Sequence, residues 1–210
     1  MFTLIKREML DHAVYFLGAV IFSTLFVLIS IPTILHYDPR EPEIYAMGIG
    51  IPAIIILIIC FCAMGASQMY NDRNKKISAF LTTLPVTRNK ILLARIITGT
   101  LAILIFFLPL IITSSILLRL SAPPIPIYSG MIFEISTATF LMAFACYCIG
   151  LQTGWSQNRI TPTLGGLALS AILVPLIIIK GFGLEISVIL VLFIIACLIR
   201  IRHTFTTTPL

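Results

Sequence analysis

The chain has 210 residues, 59% of them hydrophobic and only 10% charged, with a mean hydropathy of +1.10 and a formal net charge of +6. Soluble domains are about a quarter charged, so this composition excludes a compact soluble fold and indicates an integral membrane protein. The apolar runs are continuous rather than alternating, which excludes a transmembrane barrel. Each span takes about 20 apolar residues, leaving room for about six helices with short loops.

The expected fold is all-α: one transmembrane domain over residues 1–210, with six spans, an N-terminal amphipathic helix and a short cytoplasmic helix between spans two and three. In a membrane protein the excess of Lys and Arg marks the cytoplasmic side, so the positive charge calls for no nucleic-acid partner.

Met1 to His12 is amphipathic, with Phe2, Ile5, Met9 and Ala13 on one face and Thr3, Lys6, Arg7 and Leu10 on another. A short helix of this kind lies in the membrane interface with its basic side toward headgroups. Span one is predicted over Val14–Leu35, with Pro32 near its far end, and His36 to Glu43 forms a polar loop. Span two is predicted over Ile44–Met69, where Gly65, Ala66 and Ser67 permit close helix contact. Span three covers Ile96–Leu118, with a kink expected at Pro109. The loop Arg119–Gly130 contains APPIPIYSG and is expected to be extended or turning. Span four covers Met131–Leu151, and Gly150 and Gly154 form a GxxxG at its inner end. Span five starts at Pro162 behind the cap Thr161, the turn KGFGLE follows, and span six covers Ile186–Ile199.

With the N-terminus inside, eleven Lys and Arg fall on cytoplasmic segments (Lys6, Arg7, Arg73, Lys75, Lys76, Arg88, Lys90, Arg95, Arg159, Arg200, Arg202) and three outside (Arg40, Arg119, Lys180). This asymmetry predicts a multi-pass protein of the cell (inner or cytoplasmic) membrane with both termini in the cytoplasm.

No His lies inside a predicted span, and no carboxylate or Lys at a bilayer midplane. Buried ionisable groups mark ion-coupled transport, so their absence argues against a secondary transporter and an intramembrane protease. No phosphate-binding loop is present, and no metal or cofactor is expected in this chain. The five cysteines, Cys60, Cys62, Cys146, Cys148 and Cys197, all fall inside predicted spans and read as small hydrophobes.

Asn71 to Arg95 is the one long polar interruption. Asp72 can cap a helix from Arg73, on which Ile77, Phe80, Leu81 and Leu84 form a compact apolar stripe. Pro85 ends that helix, and Thr87 caps a new one beginning at Arg88 that runs into span three. Helix, sharp break, helix is a mechanical linkage: a push on the short helix is felt by spans two and three. The spacing alone leaves two uses open, a docking element for a soluble partner or an interfacial loop whose stripe sits among headgroups.

Leu84-Pro85-Val86-Thr87-Arg88, behind an amphipathic segment and ahead of an Ile- and Lys-rich helix start, resembles the first cytoplasmic loop of the ABC type-2 transporter permeases. The motif covers this loop, and the resemblance in topology covers most of the chain. The chain departs from the family in Asp72-Arg73-Asn74-Lys75-Lys76, which offers the family's acid but no glycine. The resemblance implies the permease of an ATP-binding-cassette exporter, not itself an enzyme. A second permease chain, identical or similar, and two ATPase subunits that hold ATP and Mg would complete it within the bilayer. Arg73 to Leu84 would be the coupling helix, with Arg73, Lys76, Ile77, Phe80, Leu81, Leu84 and Arg88 against the ATPase subunit.

An amphipathic or apolar cargo such as a peptide, drug or lipid-like molecule suits the expected lining. Thr98, Thr113, Ser114 and Ser115 of span three are candidate polar residues along its path, unless their hydroxyls bond back to their own helix. Two other functions compete: a substrate-capture subunit of an uptake transporter, and a non-transporting membrane scaffold or immunity protein.

Overall fold

The computed structural model describes residues 2–35, 59–71, 87–121, 126–155 and 184–207. Almost all of this is helix: α1 Phe2–Asp11, α2 Ala13–Leu35, α3 over 59–71, α4 Arg88–Ser121, α5 Pro126–Trp155 and α6 Leu184–Thr207. Span five and the outer part of span two lie outside the described residues.

Among the described residues, three helical segments are long and apolar enough to cross a membrane: Arg88–Thr113, Ser136–Gly154 and Glu185–Phe205. Thr3–Asp11 and Ala13–Ile29, bent by 68° at His12, make a fourth if counted as one broken span. This is the make-up of a multi-pass membrane protein. At about 1.5 Å per residue, α4 runs for about 50 Å, well beyond a hydrocarbon core of about 30 Å. It continues unbroken through Pro109, which is exposed on its surface.

The loop between α4 and α5 is shorter than its prolines suggest. Of Arg119–Gly130, expected to be extended or turning, α4 takes the part up to Ser121 and α5 begins at Pro126. The first turn of a helix has no intrahelical partner for its N–H groups, so a proline there opens the helix instead of blocking it.

Helix α4 is the hub, with α1, α2, α5 and α6 all packed on it, while α5 and α6 pack on each other. Edge-on phenyl rings thread the middle of the bundle. Phe26 of α2 and Phe61 of α3 meet Phe106 of α4 at 6.4 and 5.9 Å, and Phe107 meets Phe140 of α5 at 6.5 Å. Such tilted pairs put a positive ring edge on a negative ring face. Leu17 and Leu28 of α2 and Leu192 and Ile199 of α6 are exposed on the outside, which is where lipid belongs.

Helices α3 and α5 meet backbone to backbone. A Cβ on Gly65 would lie 2.9 Å from the Leu151 nitrogen, and one on Gly154 2.8 Å from the Met69 Cβ. The small residues expected to permit close contact on span two, and the GxxxG of span four, are thus the two halves of one interface. Between helices in lipid there is no hydrophobic drive, and close approach of this kind supplies the attraction.

Candidate functional site

The predicted coupling helix, with Arg73, Lys76, Ile77, Phe80, Leu81 and Leu84, lies outside the described residues. Its exit is described. The Thr87 carbonyl accepts from the backbone N–H groups of Lys90 at 2.9 Å and Ile91 at 3.4 Å, so Thr87 stands at the cap position and α4 starts at Arg88 as expected. Arg88 is half-buried, and Asn89 and Lys90 are exposed.

About 10 Å further along α4, at 1.5 Å per residue, the helix carries a buried charge. Arg95 is 2% exposed and draws four other helices to itself. Its Nε is 3.6 Å from Glu8 Oε1 on α1, and its Nη1 donates to Met69 Sδ on α3 at 3.3 Å. The Phe205 ring of α6 faces the guanidinium, with 5.9 Å from Cζ to the ring centre. The Arg95 carbonyl oxygen is 2.9 Å from the Tyr147 hydroxyl of α5. Glu8 also has His12 beside it, with Nε2 3.8 Å from Oε2, and the His12 ring leans on Tyr15 at 6.0 Å between centroids. Glu8 and His12 are both buried, at 8% and 6% exposure.

The Tyr147 hydroxyl also lies 2.7 Å from the Gln68 carboxamide on α3. One phenol proton serves one acceptor. With the carboxamide oxygen toward the phenol, Gln68 Nε2 has no partner among the described residues. With the NH2 toward it instead, Gln68 donates to Tyr147 and Tyr147 donates to the Arg95 carbonyl. The two amide orientations are distinguished only by such networks. The second leaves an oxygen rather than a donor short of a partner, the milder defect. Room for the Tyr147 ring is made by Gly99, whose Cβ would come within 2.6 Å of the ring carbon Cε1.

The reading from residue types missed this cluster. The α1 face turned to the bundle is Leu4, Glu8 and His12, spaced by four, while Met9 and Leu10 of the more apolar faces are exposed. Arg95 reads as a flanking charge at the edge of a span, because nothing in one sequence places Glu8 opposite it. The one local signal is Glu8 four residues before His12.

Two of the hydroxyls expected along a substrate path, those of Thr98 and Ser115, bond back into α4. Thr98 is fully buried and donates to the Ala94 carbonyl at 2.8 Å, and Ser115 donates to the Ile111 carbonyl at 2.7 Å. Thr113 is half-buried, and Ser114 follows it in the same helix. Back-bonding of this kind is the ordinary use of a hydroxyl in a membrane helix. All five cysteines are free thiols, and among the described residues no group of three or more His, Cys, Asp or Glu could hold a metal.

No protein-family model, no curated protein and no solved structure matches the chain.

Proposed function

We propose that the chain is the transmembrane permease of an ATP-binding-cassette exporter of the type-2 permease class. It moves an amphipathic or apolar cargo (a peptide, drug or lipid-like molecule) out of the cytoplasm. A second permease chain completes the path, and two separate ATPase subunits hold ATP and Mg. The six-span topology, with both termini in the cytoplasm, belongs to this reading.

The observation that carries it is the start of α4 at Arg88, at the end of the polar stretch Asn71–Arg95. The sequence Leu84-Pro85-Val86-Thr87-Arg88 runs into a helix that continues without a break from Arg88 to Ser121. A displacement of the segment before Thr87 would therefore be delivered to a long helix that packs against α1, α2, α5 and α6 and meets α3 at Phe61 and Met69. The stripe Ile77, Phe80, Leu81 and Leu84 gives an ATPase subunit an apolar contact, and Arg73, Lys76 and Arg88 flank it. The Thr98 and Ser115 hydroxyls bond back into α4, which is in keeping with an apolar cargo.

Affinity purification of the detergent-solubilised chain from its native membrane tests this. The expected result is a co-purifying nucleotide-binding subunit with ATPase activity. Purification without such a subunit, together with tight substrate binding by the chain alone, contradicts the exporter and points to a substrate-capture subunit.

A further inference from the structure

The side chains of α1 described from Thr3 to Asp11 include one that is buried, and it is the carboxylate of Glu8. Leu4 and Ile5 are half-buried, while Met9 and Leu10 face outward at 36% and 69% exposure. A helix held by apolar packing would bury its apolar stripe. This one leaves Met9 of that stripe exposed and Ile5 only half-buried, and it buries a charge instead. We propose that the Glu8–Arg95 pair is a latch that fixes α1 to the base of α4, so that the two move as one body.

The chemistry supports a latch over an incidental contact. A carboxylate away from water is costly unless a cation meets it, and Arg95 meets it at 3.6 Å with 2% of its own side chain exposed. Arg95 is in turn held from the far side by Met69 of α3 and Phe205 of α6, so Glu8 docks against a fixed guanidinium. His12 at 3.8 Å stands where α1 turns by 68° into α2, which places the second group near Glu8 at the hinge itself. Two surface charges on the same helix, Arg7 and Asp11, pair with each other at 3.6 Å and are not drawn in. In the exporter proposed above, on which this use of the latch rests, a thrust on the segment preceding α4 would reach the N-terminal helix at the membrane surface through Glu8.

Hydrogen–deuterium exchange of the full chain in lipid nanodiscs tests the latch, with ATPase stimulation in the reconstituted complex as the second measurement. Glu8→Gln keeps the shape and removes the charge. It should raise exchange across residues 3–12 by about tenfold while Ser136–Gly154 stays protected. Arg95→Ala should do the same, and the exchanged pair Glu8→Arg with Arg95→Glu should restore protection. Unchanged exchange in Glu8→Gln, or singles that loosen α1 with no recovery in the exchanged pair, overturns the latch. Loosening of α1 in a chain that stimulates no ATPase in wild-type form keeps the latch and rejects the exporter.

Discussion

Gly150 of α5 rests directly on the Cys62 peptide of α3, where a Cβ would lie 2.9 Å from the Cys62 carbonyl carbon and 3.0 Å from the Ala66 nitrogen. Both contacts are backbone, which cannot swing aside as a flexible side chain would. Gly150→Leu should therefore push α3 and α5 apart. Overpacking costs about 1–3 kcal/mol in a well-packed interior, and backbone against backbone belongs at the upper end. Thermal unfolding in detergent should show a large drop in midpoint for Gly150→Leu. Gly18→Ala is the control, since nothing lies within 4 Å of its added Cβ, and it should not lower the midpoint.

Tyr147 is fully buried and links Gln68 of α3 to the Arg95 carbonyl of α4. Tyr147→Phe removes the hydroxyl and leaves Gln68 without that partner, a loss of about 1–3 kcal/mol. Replacing both polar partners with apolar groups of similar size is nearly neutral in such cases. The double variant Tyr147→Phe with Gln68→Leu should thus recover much of the stability lost by Tyr147→Phe alone. Equal or greater destabilisation of the double variant would show that Gln68 has another task.

How much of this was legible in the sequence depends on whether the signal is local. The cap at Thr87 acts within a turn of its own position, and α4 starts where it places it. The GxxxG of Gly150 and Gly154 is local too, although its partner surface around Gly65 and Ala66 is known only from packing. The Glu8–Arg95 pair joins residues far apart along the chain, and apolar patterning weighs against it. A charge at a span edge usually snorkels to water. Arg95 does not, because Glu8 comes to it and Phe205 covers it. Pro126 misleads for the opposite reason: its local meaning depends on whether it stands before or inside a helix, and here it begins one.

The charge asymmetry predicts both termini in the cytoplasm. A fluorescent protein fused after Leu210 should fold and fluoresce, and alkaline phosphatase fused after Asp38 should be active, because that loop is expected outside. Active phosphatase at Leu210 would invert the chain and remove the Asn71–Arg95 stretch from the compartment that holds ATP.

Arg95→Lys separates charge from shape. The ammonium keeps the attraction to Glu8 but lacks the planar face that lies against Phe205 and the fork that reaches Met69. It should preserve docking of α1 better than Arg95→Ala and still lower the unfolding midpoint, by about 1–2 kcal/mol of stability. Wild-type stability in Arg95→Lys would show that charge alone holds the cluster together.

The most direct measurement is ATP hydrolysis by the co-purified complex in nanodiscs, comparing the wild type with Phe80→Asp and Leu84→Asp. Both substitutions put a carboxylate into the apolar stripe proposed to meet the ATPase subunit, and neither touches a predicted span. The expected result is normal membrane insertion of both variants with loss of the permease-dependent stimulation of ATPase activity. Full stimulation in both would contradict the coupling role of this stretch and, with it, the exporter.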